Sequence, residues 1–120
     1  MRTLRRDNVI DFETVSSFVA SSGLYRDSSM TLEKLALKVG TNRTALYNIL
    51  SAREMSFSKF INMHRAHHAL DLLRRKDLRG VSVSDIAEMS GFTSTRHMNG
   101  YLRKIVGVTA HDFRLRVFGE

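Results

Sequence analysis

The chain has 120 residues, 42% of them apolar, with no proline and no cysteine. That is enough for one domain or two small lobes with a packed interior, the missing proline favours helices on short connections, and the missing cysteine excludes disulfides, thiolate metal sites and a thiol nucleophile. Nineteen Lys and Arg against twelve Asp and Glu leave a net charge of +7, the balance of a protein that meets a polyanion.

In chain order, the segment MRTLRRDN carries charge with no apolar core behind it, so it does not read as a signal peptide. No later apolar run is long enough for a membrane span, so the cytoplasm is the expected location and no membrane partner is expected. A first helix is predicted from about Val9 to Ala20, started by Asp7 or Asn8, with Phe12, Val15, Phe18 and Val19 on one face and an end at Ser21-Ser22-Gly23. After the polar stretch Arg26–Ser29, Thr31 caps a helix through Leu35 and Ala36 to Val39, and Gly40 stops it. Asn42 caps the next, through Leu46, Ile49 and Leu50. From Ser56 to Lys76 one long amphipathic helix is predicted, with Phe57, Phe60, Ile61, Ala69, Leu72 and Leu73 toward a shared core. Arg74, Arg75 and Lys76 suit the negative end of its dipole. A connector with Gly80 follows. Ser82 then caps a helix with Asp85 in the capping-box position, Gly91 closes a turn, Ser94 caps a helix carrying Met98, Tyr101, Leu102 and Ile105, and Gly107 ends it. A last short helix begins at Thr109 and brings Phe113 inward. The methionines Met55, Met63, Met89 and Met98 read as core fillers.

Two stretches repeat. Thr31-x3-Leu35-Ala36-x3-Gly40 and Ser82-x3-Ile86-Ala87-x3-Gly91 match at an offset of 51 residues. Small alanines allow a close helix crossing and the glycines a tight turn, the requirements of a helix-turn-helix. The excess charge follows the repeats: residues 1–30 hold four bases and four acids, residues 31–120 fifteen bases and eight acids.

Over roughly residues 31–116 the sequence resembles the DNA-binding region of the AraC/XylS family of transcription regulators. The resemblance rests on SVSDIAEMSGF, the spaced apolar helix after it, GVT and Phe113, and on TLEKLALKVGTNRTALYNIL with the joining MSFSKFINMHRAHHALDLL. Met98 and Leu102 stand where the family usually has phenylalanines, Ala110 where it has proline, and Gly100 at an often basic position. The resemblance implies an all-α fold of two helix-turn-helix subdomains (31–55 and 82–116) joined by a linker helix (56–76), with an extra N-terminal helix and connector (1–30). It also implies sequence-specific binding to double-stranded DNA through two recognition helices, which on one side of the duplex lie about 34 Å apart.

Arg43 can pair with guanine O6/N7, Asn48 with adenine, and Tyr47 with a thymine methyl or a phosphate. Matching to the family adds Thr44 to the base-facing set of the first helix and supplies Thr95, Arg96 and Asn99 for the second. Arg103 and Lys104 are expected at phosphates, as are the helix starts at Thr31, Ser82 and Thr109. Each has a plainer role: Tyr47 can pack on its neighbour, the hydroxyls can simply cap, and surface charge can simply be solvated. His64 and His68 at i and i+4 lack the glutamate of a zinc-protease motif, so no metal, cofactor or catalytic residue is expected and the chain is not read as an enzyme. The competing reading is a protein-interaction module with one degenerate helix-turn-helix that binds RNA polymerase or a regulator subunit. No effector or sensor segment is recognisable, so the chain is expected to be either one domain of a larger regulator or a stand-alone short one, and the sequence does not choose between them.

Overall fold

Residues 10–119 are described by a computed structural model. The described residues form seven α-helices: α1 (Phe12–Ser22), α2 (Leu32–Val39), α3 (Arg43–Ser51), α4 (Phe57–Leu73), α5 (Val83–Met89), α6 (Thr95–Val106) and α7 (Ala110–Val117), with short 3-10 turns at Leu24–Arg26 and Lys76–Leu78. No strand occurs among them.

Side-chain caps set most of the helix starts. Thr31, Asn42, Ser82, Ser94 and Thr109 each accept a hydrogen bond from the backbone N–H three residues on, as their sequence positions predict. The first helix starts later than predicted. Asp11 Oδ1 accepts from the Thr14 N–H at 2.9 Å and Thr14 Oγ1 accepts from the Asp11 N–H at 3.0 Å, a reciprocal capping box that fixes the start at Phe12. Asp7 and Asn8 lie outside the described residues.

The chain divides into two compact units, one up to Ile61 and one from Asn62. In the first, Val15, Val19, Leu35, Ala36, Val39, Leu46, Leu50, Phe60 and Ile61 are buried in one cluster, edged by Phe12, Phe18 and Leu32. Tyr25 and Met30 join it, which the polar composition of residues 26–29 concealed. In the second, Ala66, Ala69, Leu70, Leu72, Leu73, Ile86, Ala87, Phe92, Met98, Leu102 and Ala110 form the core, with Tyr101, Ile105 and Phe113 partly buried against it. The apolar face predicted as serving one core is therefore divided, Phe60 and Ile61 to the first and the leucines to the second. Each fully buried Leu or Val contributes about 1.5–3 kcal/mol through removal from water.

Three expectations about this region are corrected. The long helix ends at Leu73 rather than Lys76, so Arg74, Arg75 and Lys76 do not form its last turn. Arg75 instead grips Asp77 with both ends of its guanidinium, Nη2 at 2.6 Å and Nε at 3.0 Å, and a continued helix would not bring residues two apart together. This pairing lowers the pKa of Asp77 and raises that of Arg75. The pair is solvent-exposed and adds little stability. Met89 is 41% exposed and is not a core filler; it is the last residue of α5.

Candidate nucleic-acid interface

Each unit contains one helix-turn-helix, and the two turns close alike. In the first, Gly40 has φ 84° and the Thr41 N–H donates to Ala36 O at 2.9 Å; in the second, Gly91 has φ 97° and the Phe92 N–H donates to Ala87 O at 3.0 Å. These six-residue closures sit at the repeat offset of 51. They require the left-handed conformation that glycine adopts at least cost, and the buried Ala36 and Ala87 leave room for the next helix.

In the first unit Leu46 and Leu50 turn α3 inward, which leaves Arg43, Thr44, Tyr47 and Asn48 exposed together over its first two turns. Tyr47 is 57% exposed, so it does not pack away against its neighbours. Asn42 Oδ1 is taken by the Ala45 N–H at 2.8 Å, confirming its capping role. The α1 helix braces this unit from behind, with Arg53 paired to Glu13 at 2.6 Å and lying 4.3 Å from the centre of the Phe12 ring.

In the second unit Met98 and Leu102 are fully buried and orient α6. Arg96, His97, Gly100, Arg103 and Lys104 are exposed and Thr95 is half-buried. Arg103 and Lys104 occupy the last turn, where the dipole also favours cations. Asn99 has a different position from its fellows. It is half-buried, and its Oδ1 accepts the Ala110 N–H at 2.8 Å, so its carbonyl ties the middle of α6 to the first residue of α7. Thr31, Ser82 and Thr109 are capping residues, their hydroxyls accepting from Lys34, Asp85 and Asp112 N–H groups.

Sequence reasoning missed two features. Arg114 Nη1 donates to the carbonyls of Arg79 and Val81 at 2.7 and 2.6 Å, stitching α7 to the loop that presents Ser82. A ring cluster of Phe92, His97 and Tyr101, with centroids 5.4–6.4 Å apart, lies beside the exposed face of α6. The spacing 92, 97 and 101 was visible, but only the turn at Gly91 brings Phe92 against the helix.

Among the described residues no three His, Cys, Asp or Glu side chains cluster as a metal site, and no helix is long and apolar enough to cross a membrane. The electrostatic signature is specific. Of the seven described α-helices, only α3 and α6 contain no Asp or Glu.

A family model described as "Helix-turn-helix domain", of AraC type, matches residues 35–116. No curated protein sequence matches the chain. Among solved structures, the chain is similar to a DNA-binding transcriptional dual regulator from Escherichia coli K-12 (20% identity, 85% of this chain and 96% of that one, TM-score 0.70). It is also similar to the DNA-binding domain of AdpA, a global transcriptional factor solved with a target DNA (19% identity, 89% and 92%, TM-score 0.71). A third is an AraC-type regulator from Chromobacterium violaceum (20% identity, 88% and 94%, TM-score 0.69). At these identities the likeness is one of fold.

Proposed function

The chain belongs to the AraC-type helix-turn-helix family, and from that premise we propose that it is a sequence-specific double-stranded DNA-binding module of a transcription regulator, placing α3 and α6 in successive major-groove segments. The observation that carries this reading is the absence of carboxylates from those two helices alone among the described α-helices. A duplex carries one phosphate charge per about 1.7 Å of axis, so an acid on a helix in the groove would be repelled, whereas a merely solvated helix has no reason to exclude one. The DNA complex of AdpA supports the same reading by likeness of fold.

In this proposal Arg43, Thr44, Tyr47 and Asn48 read one part of the site, and Thr95 and Arg96 read the other. Arg96 is suited to guanine O6/N7 and Asn48 to adenine N6/N7. Arg103 and Lys104 meet phosphate, and the first turns after Thr31, Ser82 and Thr109 offer backbone N–H groups to phosphates while the hydroxyls cap. Asn99 acts in a supporting role, its carbonyl holding α7 against α6. Because α3 and α6 differ in sequence, the site is asymmetric.

The test is selection of binding sites from random duplex DNA, followed by a salt titration on the enriched site. One asymmetric site is expected, with log K falling against log salt by about 0.9 per phosphate contacted. Equal binding to all duplexes, or a flat salt response, would refute the proposal and leave the polymerase-binding alternative.

A further inference from the structure

Gly100 stands in the middle of α6, where glycine costs helix stability relative to alanine. Nothing within the fold requires it. A Cβ built there meets no atom within 4 Å, so no neighbouring helix needs the space. Gly100 also shares one exposed stripe with Arg96, Arg103 and Lys104, at helical spacings of four, three and four residues. Beside Gly100 lies a shallow, open cleft of about 380 Å³, lined by Ser94, Arg96, His97, Gly100, Tyr101 and Lys104. Its floor is apolar. The Tyr101 and His97 rings lie edge to face at 5.7 Å, and Lys104 Nζ lies 4.6 Å from the centre of the Tyr101 ring, which holds that cation at the rim with Arg96.

A cleft with an apolar floor, cationic rim and no carboxylate fits a ligand that is anionic outside and apolar at the point of entry. In the major groove of duplex DNA the one apolar group displayed by the base pairs is the thymine 5-methyl. We propose that the Gly100 cleft is a thymine-methyl reader, with Arg96 and Lys104 holding the neighbouring base edge and phosphate. The inference rests on the DNA-binding reading above and adds a specificity-determining position to it. In this proposal the thymine methyl enters directly against the Gly100 Cα, at the open position a Cβ would take, so even an alanine methyl displaces it.

The experiment uses the whole chain and the selected site. Each thymine is replaced in turn by deoxyuridine, which removes only the methyl, and affinity is measured for the wild type and for Gly100→Ala. One thymine, in the part of the site where Arg96→Ala relaxes preference, is expected to lose about fourfold in affinity on replacement, the equivalent of one buried methylene. Gly100→Ala is expected to bind the thymine and deoxyuridine sites equally. Its thermal unfolding, expected at or above the wild-type temperature because the added methyl meets open space, shows that the fold is intact; Gly100→Ser serves the same purpose if the alanine variant does not express. If no thymine shows the effect, or if Gly100→Ala keeps it, the cleft does not read the methyl, although the enriched site and its salt dependence still support DNA binding. If no site is enriched at all, both proposals fall together.

Discussion

Asn99 offers the sharpest separation between a residue that reads DNA and one that holds the reader in place. Its Oδ1 accepts the Ala110 N–H at 2.8 Å across eleven residues of sequence, and Ala110 is fully buried. Asn99→Ala removes the acceptor and strands that N–H, and a buried unsatisfied donor costs about 1–3 kcal/mol. At about 4 °C per kcal/mol for a chain of this size, thermal unfolding followed by circular dichroism should fall by about 4–12 °C. Hydrogen exchange at the Ala110 amide should accelerate by more than at amides of α3, which lies in the other unit. Asn99→Asp supplies the control. It keeps an acceptor in the same place, so stability should largely return, while the added negative charge on α6 should weaken DNA binding. If Asn99→Ala unfolds at the wild-type temperature and its only defect is relaxed sequence preference, then Asn99 is a base reader and the bracing role derived from its hydrogen bond is wrong.

Arg96→Ala and Asn48→Ala should each relax preference in a different part of the selected site by about 1–3 kcal/mol of discrimination; uniform weakening on all sequences would reassign either residue to phosphate. Gly100→Ala should raise stability by about 1 kcal/mol, read by chemical denaturation, and a loss would mean that the position is more crowded than the structure shows. Arg114→Met should destabilise the second unit by about 1.5–3 kcal/mol through loss of charge-assisted hydrogen bonds to two carbonyls; unchanged unfolding would show that the Arg79–Val81 loop holds itself. Burial, and secondarily the nearby His67, depress the pKa of His64 below its ordinary 6.5. The unfolded chain therefore binds a proton at His64 that the folded chain resists, so its effect is a loss of stability as pH falls through 6.5. His64→Gln should flatten the slope of unfolding temperature between pH 7.5 and 5.5, and an unaltered slope would place the titration elsewhere.

The local elements were legible because their causes are local. Capping hydroxyls and amides, the glycines after α2 and α5, and the 3.6-residue apolar period each act within one turn of chain, so Thr31, Asn42, Ser82, Ser94 and Thr109 could be assigned as caps from sequence. The repeat at offset 51 pairs the two turns within the sequence itself, since both glycines answer the same backbone geometry. The exposed set on α3 followed from the same period.

What only the tertiary structure decided involves partners far apart in sequence. No local pattern shows that α4 serves two cores or that Tyr25 and Met30 are drawn into the first. The period places Asn99 beside Arg96 on α6, and only the approach of Ala110 engages its carbonyl. Gly100 could be seen as an oddity in a helix, but whether its missing side chain was filled by a neighbour or left open depended on what packs there. Burial and hydrogen-bond satisfaction are properties of the assembled fold, and a helix period alone specifies a face without specifying what meets it.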